Sequence, residues 1–182
     1  GRTWHYSHAM GYHAVARGFT HPTAVVSAPG GILYVLNTGA AEGNEQGRRI
    51  DKLTIDEDYI GNIGVGDFTW AEGLALGQDG NLYCSDAYDH FVVAYDPDGE
   101  RIGQWGEAGS KEGQFRGPSG LAFDSEDNLW VVDGLNDRVQ KFTKDGQFLS
   151  GWGAPGSDDG QLSRPWGITI DQNGDVYVAD WG

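Results

Sequence analysis

Short runs rich in Val, Ile, Leu and aromatic residues recur along the chain, among them ILYVL, EGLAL, FVVAY, SGLAF, RVQKF and GITI. Each is four to seven residues long and bounded by glycine, asparagine or aspartate, which is the pattern of strands with one buried face. No long stretch carries the 3.6-residue apolar period of an amphipathic helix. The breaks between runs have a chemistry of their own. Gln78-Asp79-Gly80, Glu126-Asp127-Asn128 and Gln172-Asn173-Gly174 separate one kind of pair, and Pro97-Asp98-Gly99 and Lys144-Asp145-Gly146 another. Asp-Gly and Asn-Gly tolerate the positive φ of a tight hairpin, so consecutive runs are expected to pair antiparallel.

The runs repeat in groups. A shift of 47 residues carries Phe68 onto Phe115, Gly73 onto Gly120 and Gly167, Tyr83 onto Trp130 and Tyr177, and Asp86 onto Asp133 and Asp180. Self-similarity at that period, with four short strands per unit, is the pattern of a β-propeller, each repeat being one antiparallel blade. The first blade is expected over 23–64, with an enlarged loop at Thr38–Gly47, the second over 72–106 and the third over 119–153. Residues 167–182 supply the first half of a fourth. Residues 3–10, TWHYSHAM, stand where a blade's last strand would fall, as expected of the outer strand that closes a propeller with the two chain ends.

Composition narrows the function classes. The 182 residues carry 27 acidic and 12 basic side chains, a net charge of −15, which lacks the basic footprint that a nucleic-acid backbone requires. Neither a membrane-spanning run nor a signal-peptide pattern is visible, and a soluble all-β chain is expected. The single cysteine, Cys84, aligns with Val35, Val131 and Val178 and reads as a small buried hydrophobe.

The run PSGLAFD from Pro118, then NLWVVD from Asn128 to Asp133, then NDRVQKF from Asn136 to Phe142, resembles the NHL repeat, and PWGITID from Pro165 with DVYVAD ending at Asp180 resembles its first half. The likeness is weaker in the second repeat, where Phe91 replaces the arginine seen at Arg49 and Arg138, and weakest in the first, where Asn37 replaces the aspartate. NHL propellers commonly have six blades. The resemblance therefore implies that the missing blades come from the rest of a longer chain, with assembly with another copy as the second way to close the propeller, and that the chain is a binding or scaffolding module. Some relatives bind RNA through a basic face, an activity that this acidic chain does not inherit.

Residues constant across repeats serve the frame. Asp133 with Arg138, and Asp86 with its surroundings, are expected to tie the turn between second and third strands by charge-assisted hydrogen bonds. Candidate functional residues are those that vary within it. Antiparallel order places the loop before each first strand on the same face as the loop between second and third strands. That face collects His21, Trp70, Glu72, Tyr88, His90, Arg164, Trp166 and Trp181, with Asn37, Ser119 and Leu135 beside them. Exposed aromatics with a few polar groups suit recognition of a protein, a peptide or a small ligand.

The alternative is a metal-dependent enzyme. The resemblance extends to lyases and lactone-type hydrolases that hold a divalent metal on the propeller axis, which implies calcium or zinc here, with Glu72, His21 and His90 as candidate ligands or base, and Tyr88 and Arg164 positioning substrate. His5, His8 and His13 form a second histidine group, but His5 and His8 would point to opposite faces of a strand. Asp96, Asp98 and Glu100 imitate a calcium loop, yet Arg101 stands where an EF-hand needs glycine. No GxSxG, HExxH or phosphate-loop pattern is present.

Overall fold

The computed structural model describes residues 19–39 and 47–182. The strand expected at 3–10 and the histidines at 5, 8 and 13 lie outside them. Among the described residues are three four-stranded antiparallel sheets and a two-stranded one, each a simple meander. The first sheet comprises β1 (Pro22–Ala28), β2 (Ile32–Thr38), β3 (Arg48–Thr54) and β4 (Tyr59–Ile63). The second comprises β5 (Ala71–Leu76), β6 (Leu82–Asp86), β7 (Phe91–Tyr95) and β8 (Arg101–Trp105). The third comprises β9 (Pro118–Phe123), β10 (Leu129–Asp133), β11 (Arg138–Phe142) and β12 (Phe148–Trp152), and β13 (Gly167–Ile170) pairs with β14 (Val176–Ala179) in the fourth. These are β-propeller blades.

The core lies between blades. Tyr34, Leu36, Ile50, Phe68, Leu74, Cys84 and Tyr95 fill the first interface, and Tyr83, Val92, Phe115, Leu121, Leu129 and Phe142 the second. Val132, Val139 and Leu162 begin the third. Phe68, Phe115 and Leu162 are one repeat position, a wedge at the head of each new blade. Cys84 is fully buried among apolar neighbours, which pushes its thiol well above the ordinary range and leaves it inert. Tyr83 meets Phe123 of the next blade edge to face at 4.9 Å. The aromatic register of the repeats thus packs blade on blade.

The first strands β1, β5, β9 and β13 are neighbours in space, each packed on the next in chain order. Two glycines set how closely they approach. A Cβ on Gly73 would run into the Ser119 carbonyl oxygen of β9, and one on Gly120 would sit 2.7 Å from the Trp166 carbonyl. Hydrogen bonds use this proximity: Gly120 N–H donates to the Trp166 carbonyl at 2.9 Å, and Ser119 Oγ donates to the same oxygen. Ser85 Oγ accepts from Gly73 N–H at 2.9 Å and donates to the Ser119 carbonyl at 2.6 Å. The glycine recurring at this repeat position is thus required by strand-to-strand contact.

Candidate functional site

Each four-stranded blade has an extra residue at the head of its first strand. Pro22 and Ala24 face Asn37 and Leu36, so Thr23 is the unmatched residue, and Ala71 and Gly73 face Asp86 and Ser85, leaving Glu72 unmatched. The third blade shifts register at the same place, around Ser119. Such a bulge turns a side chain out of the regular alternation. The bulge positions Glu72 and Ser119, with Trp166 at the equivalent place before β13, all line one cavity.

That approach is held by the recurrent aspartate. Asp86 Oδ2 accepts from the backbone N–H of Thr69 and Trp70, and Oδ1 accepts from those of Tyr88 and Asp89. One buried carboxylate therefore clamps both loops that carry site residues. Asp133 repeats the device: Oδ1 accepts from Arg116 N–H at 2.6 Å, while Oδ2 receives Arg138 Nε, Asn136 Nδ2 and Gln140 Nε2. Asp180 Oδ1 accepts from Ser163 N–H. The aspartate–arginine tie is present as expected, and the carboxylate's further reach to the loop ahead of the first strand is added by the structure. Burial pushes the Asp133 carboxyl up from its ordinary value, against the pull of Arg116 N–H, Asn136 and Arg138.

The cavity measures about 450 Å³. Trp70, Tyr88 and Leu135 border it from the second and third blades, and Pro165, Trp166 and Trp181 from the fourth. These rings are open to ligand, with exposures from 53% for Trp166 to 81% for Trp181. Among the described residues no ring of the four aromatics contacts another. Glu72 and Arg164 bring the charge. The Trp70 indole N–H donates to Glu72 Oε1. Burial raises the Glu72 carboxyl above its ordinary value, the indole hydrogen bond opposes the rise, and the nearby Asp86 charge adds to it.

Six of the eight candidate residues, Trp70, Glu72, Tyr88, Arg164, Trp166 and Trp181, line this cavity, and His21 and His90 do not. Leu135 and Ser119, which the sequence set beside them, line it too. His90 has another task. Its backbone is left-handed at φ 63°, and its Nδ1 accepts from Gly117 N–H at 3.2 Å. Asp137, one repeat later, is left-handed at φ 50° and accepts from Arg164 N–H at 2.8 Å through Oδ1. Both residues tether the approach loop of the next blade. The 47-residue alignment of His90 with Asp137 was the available signal, and a histidine viewed alone concealed it. His21, at φ 53°, accepts Thr38 N–H with its carbonyl and occupies the turn before β1.

No group of three or more His, Cys, Asp and Glu side chains gathers in a metal-binding arrangement among the described residues. With His90 Nδ1 engaged by Gly117 and His21 outside the cavity lining, Glu72, His21 and His90 do not fit a single divalent ion as a set.

Residues 115–142 and 162–182 match the NHL repeat family. No curated protein matches the chain. Among solved structures, a gluconolactonase from Xanthomonas campestris is 19% identical with a TM-score of 0.71, over 94% of this chain and 57% of that one. Virginiamycin B lyase from Staphylococcus aureus is 18% identical with a TM-score of 0.65, over 88% and 49%. A chain of the nidogen/laminin complex is 18% identical with a TM-score of 0.62, over 84% and 52%. The chain thus spans about half the length of the solved structures it matches. At this identity the likeness is one of fold.

Proposed function

This is an NHL-repeat protein of β-propeller fold, and on that footing we propose that it is a binding module that presents one loop face to a peptide, a protein segment or a small ligand. The observation that carries the reading is the convergence of Trp70, Tyr88, Trp166 and Trp181 on one 450 Å³ cavity. Four large rings left in water around a concavity are costly to keep and suited to contact, because each offers a wide apolar area with few rotamers to freeze. The buried Asp86 carboxylate holds both loops that carry Trp70 and Tyr88, so the surface is pre-formed and little ordering is lost on binding.

The alternative is a propeller enzyme with an axial calcium or zinc ion. Its support is likeness of fold to a lyase and a gluconolactonase, and one fold hosts unrelated chemistries. Among the described residues its expected ligands form no metal-binding group.

Selection of a phage-displayed random peptide library against the protein tests the binding reading. Peptides recovered from the selection should bind the parent chain and lose at least tenfold on W70A/W166A, with both proteins melting alike. Peptides that bind the variant equally well would place recognition elsewhere and overturn the reading.

A further inference from the structure

The chemistry of the cavity is more specific than an apolar face. The buried acids Asp51, Asp86 and Asp133 are answered. Asp51 meets Arg49 at 2.6 Å, Asp133 meets Arg138 at 2.8 Å, and Asp86 receives four backbone N–H groups. Glu72 is half-buried and, among the described residues, receives only the Trp70 indole N–H on one oxygen. Arg164, contributed by the loop before β13, two blades away from β5, lines the same cavity. Its backbone is pinned, since its N–H donates to Asp137 and the next residue is Pro165. No ion pair joins Glu72 to Arg164, so an acid and a base that do not neutralise each other line one aromatic-walled cavity.

Resting on the binding-face reading, we propose that the occupant is a zwitterion with an apolar body, a free short peptide or a small molecule of the same chemistry, whose ammonium group lies toward Glu72 and whose carboxylate lies toward Arg164. A neutral apolar ligand would strip water from Glu72 and return nothing, whereas an ammonium group restores its charge partner. The open faces of Trp70, Trp166 and Trp181 accept the apolar body, and a ring beside the ammonium adds cation–π attraction. The pole at Arg164 offers a planar fork matched to a carboxylate. Size agrees. A sphere of 450 Å³ is about 9.5 Å across, the reach of about three extended residues at roughly 3.3–3.6 Å each. The net charge of −15 draws the cationic end inward and disfavours ligands that are anionic overall.

The probe is the tripeptide Ala-Phe-Ala in four forms: free, N-acetylated, C-amidated and capped at both ends. Binding is read by calorimetry and tryptophan emission on the folded protein. The free form should bind tightest, and each cap should weaken binding by about tenfold or more, as expected for loss of a hydrogen-bonded charge. E72Q should erase the penalty of the acetyl cap while keeping that of the amide. R164Q, on an exposed side chain that leaves folding intact, should do the reverse. Equal affinity for all four forms, lost on W166A, would overturn the two-pole inference and leave the binding face standing. Equal affinity that also survives W70A and W166A would overturn both. Failure of every form to bind would overturn the two-pole inference, with the library selection then deciding the face.

Discussion

The first and third blades solve one problem with the same three side-chain types in exchanged places. In the third, Asp133 at the end of β10 faces Arg138 and Gln140 on β11. In the first, the matching positions are Asn37, Arg49 and Asp51, and here Asn37 Nδ2 donates to Asp51 Oδ2 at 3.1 Å while Arg49 Nε donates to Asp51 Oδ1 at 2.6 Å. Amide and carboxylate have traded strands, and the arginine has kept its place. In both blades the second-strand residue still accepts the backbone N–H ahead of the first strand, Thr20 for Asn37 and Arg116 for Asp133. What the frame demands is therefore one acceptor facing the approach loop and one negative charge beside the arginine. It does not demand that one residue supply both.

Substitutions can break that equivalence or sharpen it. The largest effect should come from D133A, which leaves Arg138 without its buried partner and Arg116 N–H without its acceptor. A loss of about 3–5 kcal/mol is expected, read as a fall in urea midpoint. Next is N37D, which sets a second carboxylate against Asp51 and should cost roughly 2 kcal/mol, as for other unanswered buried charges. N37D/D51N then recreates the third blade's arrangement in the first. If the exchange is real, the double variant should recover most of the loss, and a double-mutant cycle showing simple additivity would refute it.

A smaller contrast separates the second blade from the third. H90A should lose about 1 kcal/mol through the Gly117 hydrogen bond, whereas H90N keeps an acceptor and tolerates the left-handed backbone, so its melting temperature should stay near the parent's. Smallest is the pH effect at Glu72. Its raised carboxyl means that the folded protein holds this proton more tightly than the unfolded chain does. Glu72 therefore favours folding below the ordinary value of 4.5 and opposes it as pH climbs through the raised one. E72Q should raise the melting temperature at pH 7 and leave it unchanged well below pH 4.5; a gain that persists in acid would assign the effect to packing.

Much of this arrangement was legible before any coordinates. β7, β11 and β13 span the runs FVVAY, RVQKF and GITI, and β2, β5 and β9 reach one or two residues beyond ILYVL, EGLAL and SGLAF. Strand ends follow backbone pairing: Asp86 and Asp133 close β6 and β10 because their backbones pair with Phe91 and Arg138, whatever their side chains. Hairpin parity also placed most of the varying residues on one face. Other features were hidden for physical reasons. A bulge at Thr23, Glu72 or Ser119 is a backbone event with no compositional mark. Asn37 read as a lost aspartate because its compensating partner, Asp51, lies fourteen residues on, across the longest loop of the blade. His90 read as a ligand because its chemistry is versatile, though its place in the repeat is that of Asp137.

The unmatched residue at the head of each first strand has a consequence for change over time. Thr23, Glu72, Ser119 and Trp166 occupy one repeat position yet carry three different chemistries, while the neighbours on either side are held by inter-strand contacts and by the buried acids. Such a position works as a socket. It accepts a hydroxyl, an acid or an indole without altering what surrounds it, and distant sockets on separate blades can be refitted with nearly additive effect. A new specificity can therefore be assembled one blade at a time on an unchanged chassis.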